Sequence, residues 1–160
     1  MILVTVGMQL GFDRLVRAMD TLAPTLNMPV IAQTGKGGYR PQRMEARERI
    51  TPDEFEALVS EARLIVSHAG IGTVLTAQRF STPTVLMPRR ADKGEHRNDH
   101  QLATVKSLRG RPGILVANDE TQLPERIEQG LALGNWAAQR SGSAQQLHRA
   151  VANFIEIGRL

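Results

Sequence analysis

Short apolar runs alternate along the chain with segments whose apolar residues recur every three or four positions. Ile2 to Val6, Pro29 to Gln33, Leu64 to Ser67, Thr84 to Met87 and Gly113 to Val116 read as buried strands, with a weaker one at Met44 to Glu48. Between the first two runs, Phe12, Leu15, Val16, Met19 and Leu22 fall on one helix face. Thr51 can cap a second helix, Pro52 suits its first position and Glu54 completes a capping box, with Phe55, Leu58, Val59 and Ala62 as the apolar stripe. Further helices are predicted from Thr73 to Arg79, Asp99 to Leu108 and Thr121 to Leu133. A last one from Ser143 carries Leu147, Val151, Phe154 and Ile155 on one side. This alternation predicts an α/β, Rossmann-like parallel sheet with helices on both faces, formed as a single domain over residues 1–160. Ligands of such sheets bind outside the C-terminal ends of the strands, so the loops after each strand are where chemistry is expected.

Composition narrows the choice. At 160 residues there is room for one core and not for two full domains. No apolar run approaches the length of a membrane span, and the first residues read directly into a strand, so the default expectation is a cytoplasmic protein. Cysteine is absent, which removes thiolate nucleophiles and thiolate metal sites. The pI of about 10.3 overstates the basicity. The formal charge is only +4, and with three lysines, one tyrosine and no cysteine little titrates between neutrality and that pI. Nucleic acid is therefore not an expected partner, whereas phosphate-bearing ligands suit a modest positive field.

The segment LIVSHAGIG, residues 64–72, runs a buried strand through a small-residue turn into a helix. Backbone N–H groups at Gly70, Ile71, Gly72 and Thr73 can then converge on one point, where the helix dipole favours an anion. Glycine at 70 and 72 lets a diphosphate approach the backbone. The bland reading is a tight strand-to-helix turn and nothing more. Neither a dinucleotide fingerprint nor a Walker loop is present: the third glycine is missing here, and no Ser or Thr follows Lys36 in QTGKGG.

Two glycine-bearing loops, Gly7 to Gly11 and Gln33 to Gly38, should converge on the same edge. The long polar loop from Pro88 to Gln101 joins them, carrying Asp, Asn, His and Gln suited to sugar hydroxyls and two adjacent arginines, Arg89 and Arg90, suited to a carboxylate or phosphate. Its other reading is a solvated charge run. No metal site is expected, because His96 and His100 lack a third ligand at a recognised spacing. Ser67 beside His68 is not a triad, since neighbours on a strand face opposite sides.

The set TVGMQ, QTGKGG, LIVSHAGIGTVLTA and GEHRNDHQLAT resembles the glycosyltransferase family 28 C-terminal domain over roughly Ile2 to Leu108. That domain occurs in the peptidoglycan transferase MurG, and in stand-alone form in bacterial exopolysaccharide subunits of the PssE type, which MPRRADKGEHRNDHQLAT is most like. The resemblance implies half of a GT-B glycosyltransferase, in which a UDP-sugar lies across the strand ends without a metal ion or other cofactor. By motif, uracil should meet backbone near Ile50 and Thr51. The diphosphate should lie over Gly70, Ile71, Gly72 and Thr73, with Gly7, Met8, Gln9 and His68 nearby. The sugar hydroxyls should meet Asp99, His100 and Gln101. Two positions depart from the family pattern: Thr76 stands where a ribose-binding glutamate is usual, and Met8 replaces a threonine.

The resemblance further implies inverting transfer to a lipid-linked saccharide in exopolysaccharide synthesis, with the acceptor half and membrane anchor on a partner subunit. The chain would then sit peripherally at the inner face of the membrane. Arg89 or Arg90 would neutralise the departing diphosphate, and the adjacent pair suggests UDP-glucuronate as donor, with UDP-glucose and UDP-N-acetylglucosamine as alternatives. A general base within this chain would be His68 or His100. The last helix's apolar stripe would be the docking handle, its plainer role being to pack on its own sheet. The rival function is a non-catalytic nucleotide-sugar-binding regulator or scaffold.

Overall fold

A computed structural model of the chain describes residues 1–134, 136, 151 and 152. Six parallel strands form one sheet: β1 (Ile2–Thr5), β2 (Val30–Gln33), β3 (Glu45–Arg47), β4 (Leu64–His68), β5 (Thr84–Met87) and β6 (Ile114–Val116), in the order β3-β2-β1-β4-β5-β6. The strands and their sequence-predicted counterparts agree to within a residue or so at either end. The order reverses between β1 and β4, so the loops that leave those two strands diverge and open a crevice between them.

Alternation along the strands sorts the core into two faces. Ile2 and Val4, with Leu64, Val66, Val85 and Met87, pack beneath α1 (Asp13–Leu22) and α5 (Leu123–Leu133), meeting Leu15, Val16, Met19, Leu123 and Ile127. Leu3 and Ile65 point the other way, onto Leu58 and Val59 of α2 (Pro52–Glu61) and Ala77 of α3 (Ile71–Phe80). Leu86, Ile114 and Val116 complete that second face with Val74 of α3 and Val105 and Leu108 of α4 (His100–Leu108). Each fully buried strand residue contributes roughly 1.5–3 kcal/mol, which fixes the register and thereby the height at which every strand ends.

Helix starts follow their local chemistry. Thr51 Oγ1 accepts the Glu54 N–H at 3.3 Å and Pro52 occupies the first turn, as the capping pattern requires. α3 begins two residues earlier than the apolar spacing suggests, at Ile71, because Gly70 adopts an extended backbone and acts as its cap without any side-chain bond. Its end is set by Ser81, in left-handed conformation, whose N–H returns to the helix. Residues 120–122 form a 3-10 turn ahead of α5 instead of joining it.

The predicted helix after Ser143 lies almost wholly outside the described residues. Of its stripe only Val151 is described; it is helical and buried beside Val74, Val105 and Leu108, so that position is spent on this domain's own core and not on a docking surface. Among the described residues, no helix is long and apolar enough to cross a membrane.

One buried charge organises the sheet's β2–β3 side. Asp20, 3% exposed at the end of α1, accepts hydrogen bonds from Tyr39 Oη at 2.6 Å and from the amides of Gln42 and Arg43. Burial alone would raise its carboxyl, but these donors outweigh it and hold the group below the usual carboxylate range. Replacement Asp20→Ala strands all three donors, and urea unfolding should register a loss of about 2–3 kcal/mol.

Candidate functional site

The crevice at the β1/β4 reversal is a cleft of about 360 Å³ lined by the ends of β1, β2 and β4, by the turn Gly70 to Thr73 and by the first turns of α2. Ile50, Pro52 and Phe55 form an apolar wall, and Glu56, Thr76 and His68 supply polar groups. A second cleft of about 380 Å³ continues from Met8 and Ile50 past Thr51 to Glu54 and Lys36.

At the floor, Gly70 donates its N–H to the His68 carbonyl at 2.8 Å. That corrects the expectation of four converging donors: the Gly70 amide is already bonded. Ile71, Gly72 and Thr73 form the first turn of α3, where no residue lies four positions back within the helix to accept, and no side chain caps them. Among the described residues these three N–H groups have no partner, and the positive end of a ten-residue helix points with them into the cleft.

The two glycines of the turn have different causes. A side chain at Gly70 would run into the His68 ring, and one at Gly7, whose φ is +79°, would come within 2.9 Å of it. Both glycines exist to seat the imidazole. At Gly72 a β-carbon would touch nothing within 4 Å and the backbone is ordinary, so packing does not explain the missing side chain. The space above the three free amides is open.

His68 was expected to sit near the diphosphate and as a possible base. The cleft does reach it, but its pKa is pushed down to about 4, by burial first and then by the nearby Arg89 charge, against a hydrogen bond to the Thr5 backbone. A neutral imidazole of that weakness has little driving force to take a proton near pH 7, so the structure favours it as a hydrogen-bonding group over the base role.

The expected arginine fork is not formed. Arg89, 3% exposed, turns inward and donates to the carbonyls of Val6 at 2.7 Å and Leu10 at 2.8 Å while its guanidinium lies 5.1 Å from the Phe12 ring centre. Burial lowers its pKa, with Glu95 opposing. Arg90 pairs with Asp92 at 3.1 Å. The two side chains therefore part, and the argument from them to a uronate carboxylate loses its footing.

Asp99 likewise spends a carboxylate oxygen on the Ala91 N–H at 2.8 Å, and Gln101 Oε1 accepts both the Ala69 amide at 3.2 Å and the Arg89 amide at 3.0 Å. Gln101 thus ties the loops after β4 and β5 together, a bracing role where a sugar contact was expected. His100 starts α4 with its ring 5.8 Å from that of His96. Arg89, Arg90, Asp99, His100, Gln101 and Gln9 do not line the 360 Å³ cleft, while Gly7, Met8, Ile50, His68, Gly70, Gly72 and Thr73 do; Thr51 lines its neighbour, and Ile71 turns its side chain toward the second core.

Residues that the sequence did not single out brace or line the site. Arg14 on α1 holds Glu95 with two hydrogen bonds, at 2.6 and 2.8 Å, and also reaches Glu120 and the Pro88 carbonyl. Glu95 in turn accepts the Arg90 amide at 3.0 Å, so this pair folds the 88–99 loop onto the body of the domain. The hydrogen bond to Glu95, outweighing burial, raises the Arg14 pKa, so the guanidinium stays charged throughout. Thr5 and Gln33 lie at strand ends, which the switch-point rule alone would have flagged. Glu56 follows an apolar stripe residue and carries no local signal.

The profile of the family described as the glycosyltransferase family 28 C-terminal domain matches residues 1–154. A search of the curated proteins finds no match. Among solved structures, the glycotransferase of kitacinnamycin superposes with a TM-score of 0.67 at 18% identity, over 99% of this chain and 42% of its own. The spinosyn forosaminyltransferase SpnP gives 0.60 at 16%, over 92% and 39%. MurG of Acinetobacter baumannii gives 0.54 at 23%, over 79% and 39%. The chain spans about two fifths of the length of these structures, and the likeness is one of fold: the Rossmann-like half of a GT-B glycosyltransferase.

The buried imidazole sets a pH dependence. Below about 6.5 the unfolded chain protonates this histidine, whereas the folded chain does so only near 4. Unfolded protein therefore binds more protons in that window, and stability falls as pH drops through it by ~3 kcal/mol at most. Denaturation at a series of pH values should show this slope, and His68→Gln should flatten it.

Proposed function

The chain belongs to the glycosyltransferase family 28 C-terminal domain family, and on that premise we propose that it binds the nucleotide diphosphate of a UDP-sugar donor for transfer to a lipid-linked saccharide. The observation that carries this reading is the set of three unpartnered amides at Ile71, Gly72 and Thr73, at the sheet's switch point beneath a glycine that packing does not require. A diphosphate satisfies those donors together and lies along the helix dipole. The apolar wall of Ile50, Pro52 and Phe55, continuing to Thr51, suits a flat base in the same cleft.

On this reading departure of the diphosphate in an inverting transfer is stabilised by fixed backbone dipoles, and no metal ion is invoked. His68, kept neutral, adds a polar contact beside the phosphates. Arg89 acts from within: by fastening Val6 and Leu10 it shapes the Gly7 to Gly11 loop that closes the cleft. The base that activates the acceptor, and the acceptor site itself, we assign to a membrane-anchored partner subunit in exopolysaccharide synthesis, which would hold this chain at the cytoplasmic face of the membrane.

A second reading, a nucleotide-sugar-binding regulatory or scaffold subunit without turnover, draws on the weakness of His68 as a base. Donor consumption when the partner is supplied separates the two: release of UDP favours transfer, and UDP binding with no release favours the regulator.

The site itself is tested at Gly72. Because a side chain there meets open space, Gly72→Leu should leave the melting temperature unchanged or slightly raised. Calorimetric titration with UDP should nevertheless show a loss of at least about tenfold, since each charge-assisted hydrogen bond to the phosphates is worth about 1.5–3 kcal/mol. Unaltered UDP affinity in a folded Gly72→Leu protein would remove the phosphate assignment.

A further inference from the structure

We propose that Glu56 reads the ribose hydroxyls of the bound nucleotide, and so makes the cleft selective for ribonucleotides over their deoxy counterparts; this rests on the nucleotide reading above.

Among the described residues, Glu56 is the only charged side chain lining the 360 Å³ cleft. Its carboxylate has no use as a phosphate ligand, since like charges repel, and an ionised carboxylate only accepts hydrogen bonds. What it can select is a group bearing O–H or N–H donors. Its place decides which. The cleft is lined both by Gly72 and Thr73, in the first turn of α3 with its free amides, and by Ile50, Pro52 and Phe55 at the start of α2. Glu56 follows Phe55 on α2 and lies at the same cleft as Thr73 and Thr76 on α3. In a nucleotide laid from amides to apolar wall, the piece between phosphate and base is the ribose, whose two cis hydroxyls are paired donors.

The carboxylate is held for this task. Arg79, one turn beyond Thr76 on α3, forms an ion pair with Glu56 across the two helices. The pair is roughly half exposed, so as a surface salt bridge it adds little to stability. Its effect is on orientation, leaving lone pairs on Glu56 for a ligand. The neighbouring hydroxyl does not compete: Thr76 Oγ1 donates its hydrogen to the Gly72 carbonyl at 3.0 Å within its own helix.

The test is calorimetric titration of the full chain, as wild type, Glu56→Ala and Arg79→Ala, with UDP, 2′-deoxy-UDP and 3′-deoxy-UDP. Wild type should prefer UDP to at least one deoxy analogue by about tenfold, the worth of a charge-assisted hydrogen bond. Glu56→Ala should lose that margin by binding UDP about tenfold more weakly while binding the deoxy analogue as before. Arg79→Ala, which breaks the same ion pair but keeps the carboxylate, should retain a preference for UDP. A wild type that does not discriminate, a Glu56→Ala loss shared equally by UDP and both deoxy analogues, or an unchanged margin in that variant would each overturn the proposal while leaving the phosphate site standing. Failure of the wild type to bind UDP at all would overturn the nucleotide reading, and this proposal with it.

Discussion

Three backbone amides at the start of α3 cannot be satisfied by their own helix, and the rest of the site is arranged around that deficit. An orphan donor that faces solvent is satisfied by water at little cost. Here the donors sit at the point where strand order reverses, so the sheet itself carves the space in front of them. The helix contributes its dipole, β1 and β4 set the walls, and the missing side chain at Gly72 keeps the approach open. On the proposed reading, affinity for an anion would come from backbone geometry.

Much of the polar sequence around this site holds the walls in place. Arg89 spans from β5 to the carbonyls of Val6 and Leu10, and Gln101 joins the Ala69 and Arg89 amides through one oxygen. Arg14 and Glu95 fold the long loop back onto α1. Arg89 is also felt by His68, helping to keep the imidazole neutral beside the proposed phosphates. An arginine used this way costs burial of a charge and returns a fixed loop, which is the exchange expected where a site must be formed before its ligand arrives.

Five strands were legible because buried parallel strands leave continuous apolar runs, whereas the short, largely exposed edge strand at Glu45–Arg47 left only a weaker signal. The turn at Gly70 to Thr73 was legible because strand, small residues and helix follow one another without interruption. What the sequence could not show is where polar side chains turn. Arg89 and Arg90 are adjacent and chemically alike, yet one is buried against carbonyls and the other pairs outward with Asp92. Gln101 and Asp99 have the composition of sugar ligands and the geometry of braces. Gly70 has the composition of a phosphate donor, but its amide closes on His68 two residues back. Glu56 belongs to the site only because α2 and α3 pack side by side, a long-range fact with no local imprint.

The central claim concerns three amide protons, and it is most directly tested by following backbone amide resonances of the isotope-labelled chain as UDP is added. The account predicts that Ile71, Gly72 and Thr73 shift together, saturate with a single affinity and shift far less with uridine, which lacks the phosphates. Saturable binding of UDP that leaves those three resonances where they began would contradict it.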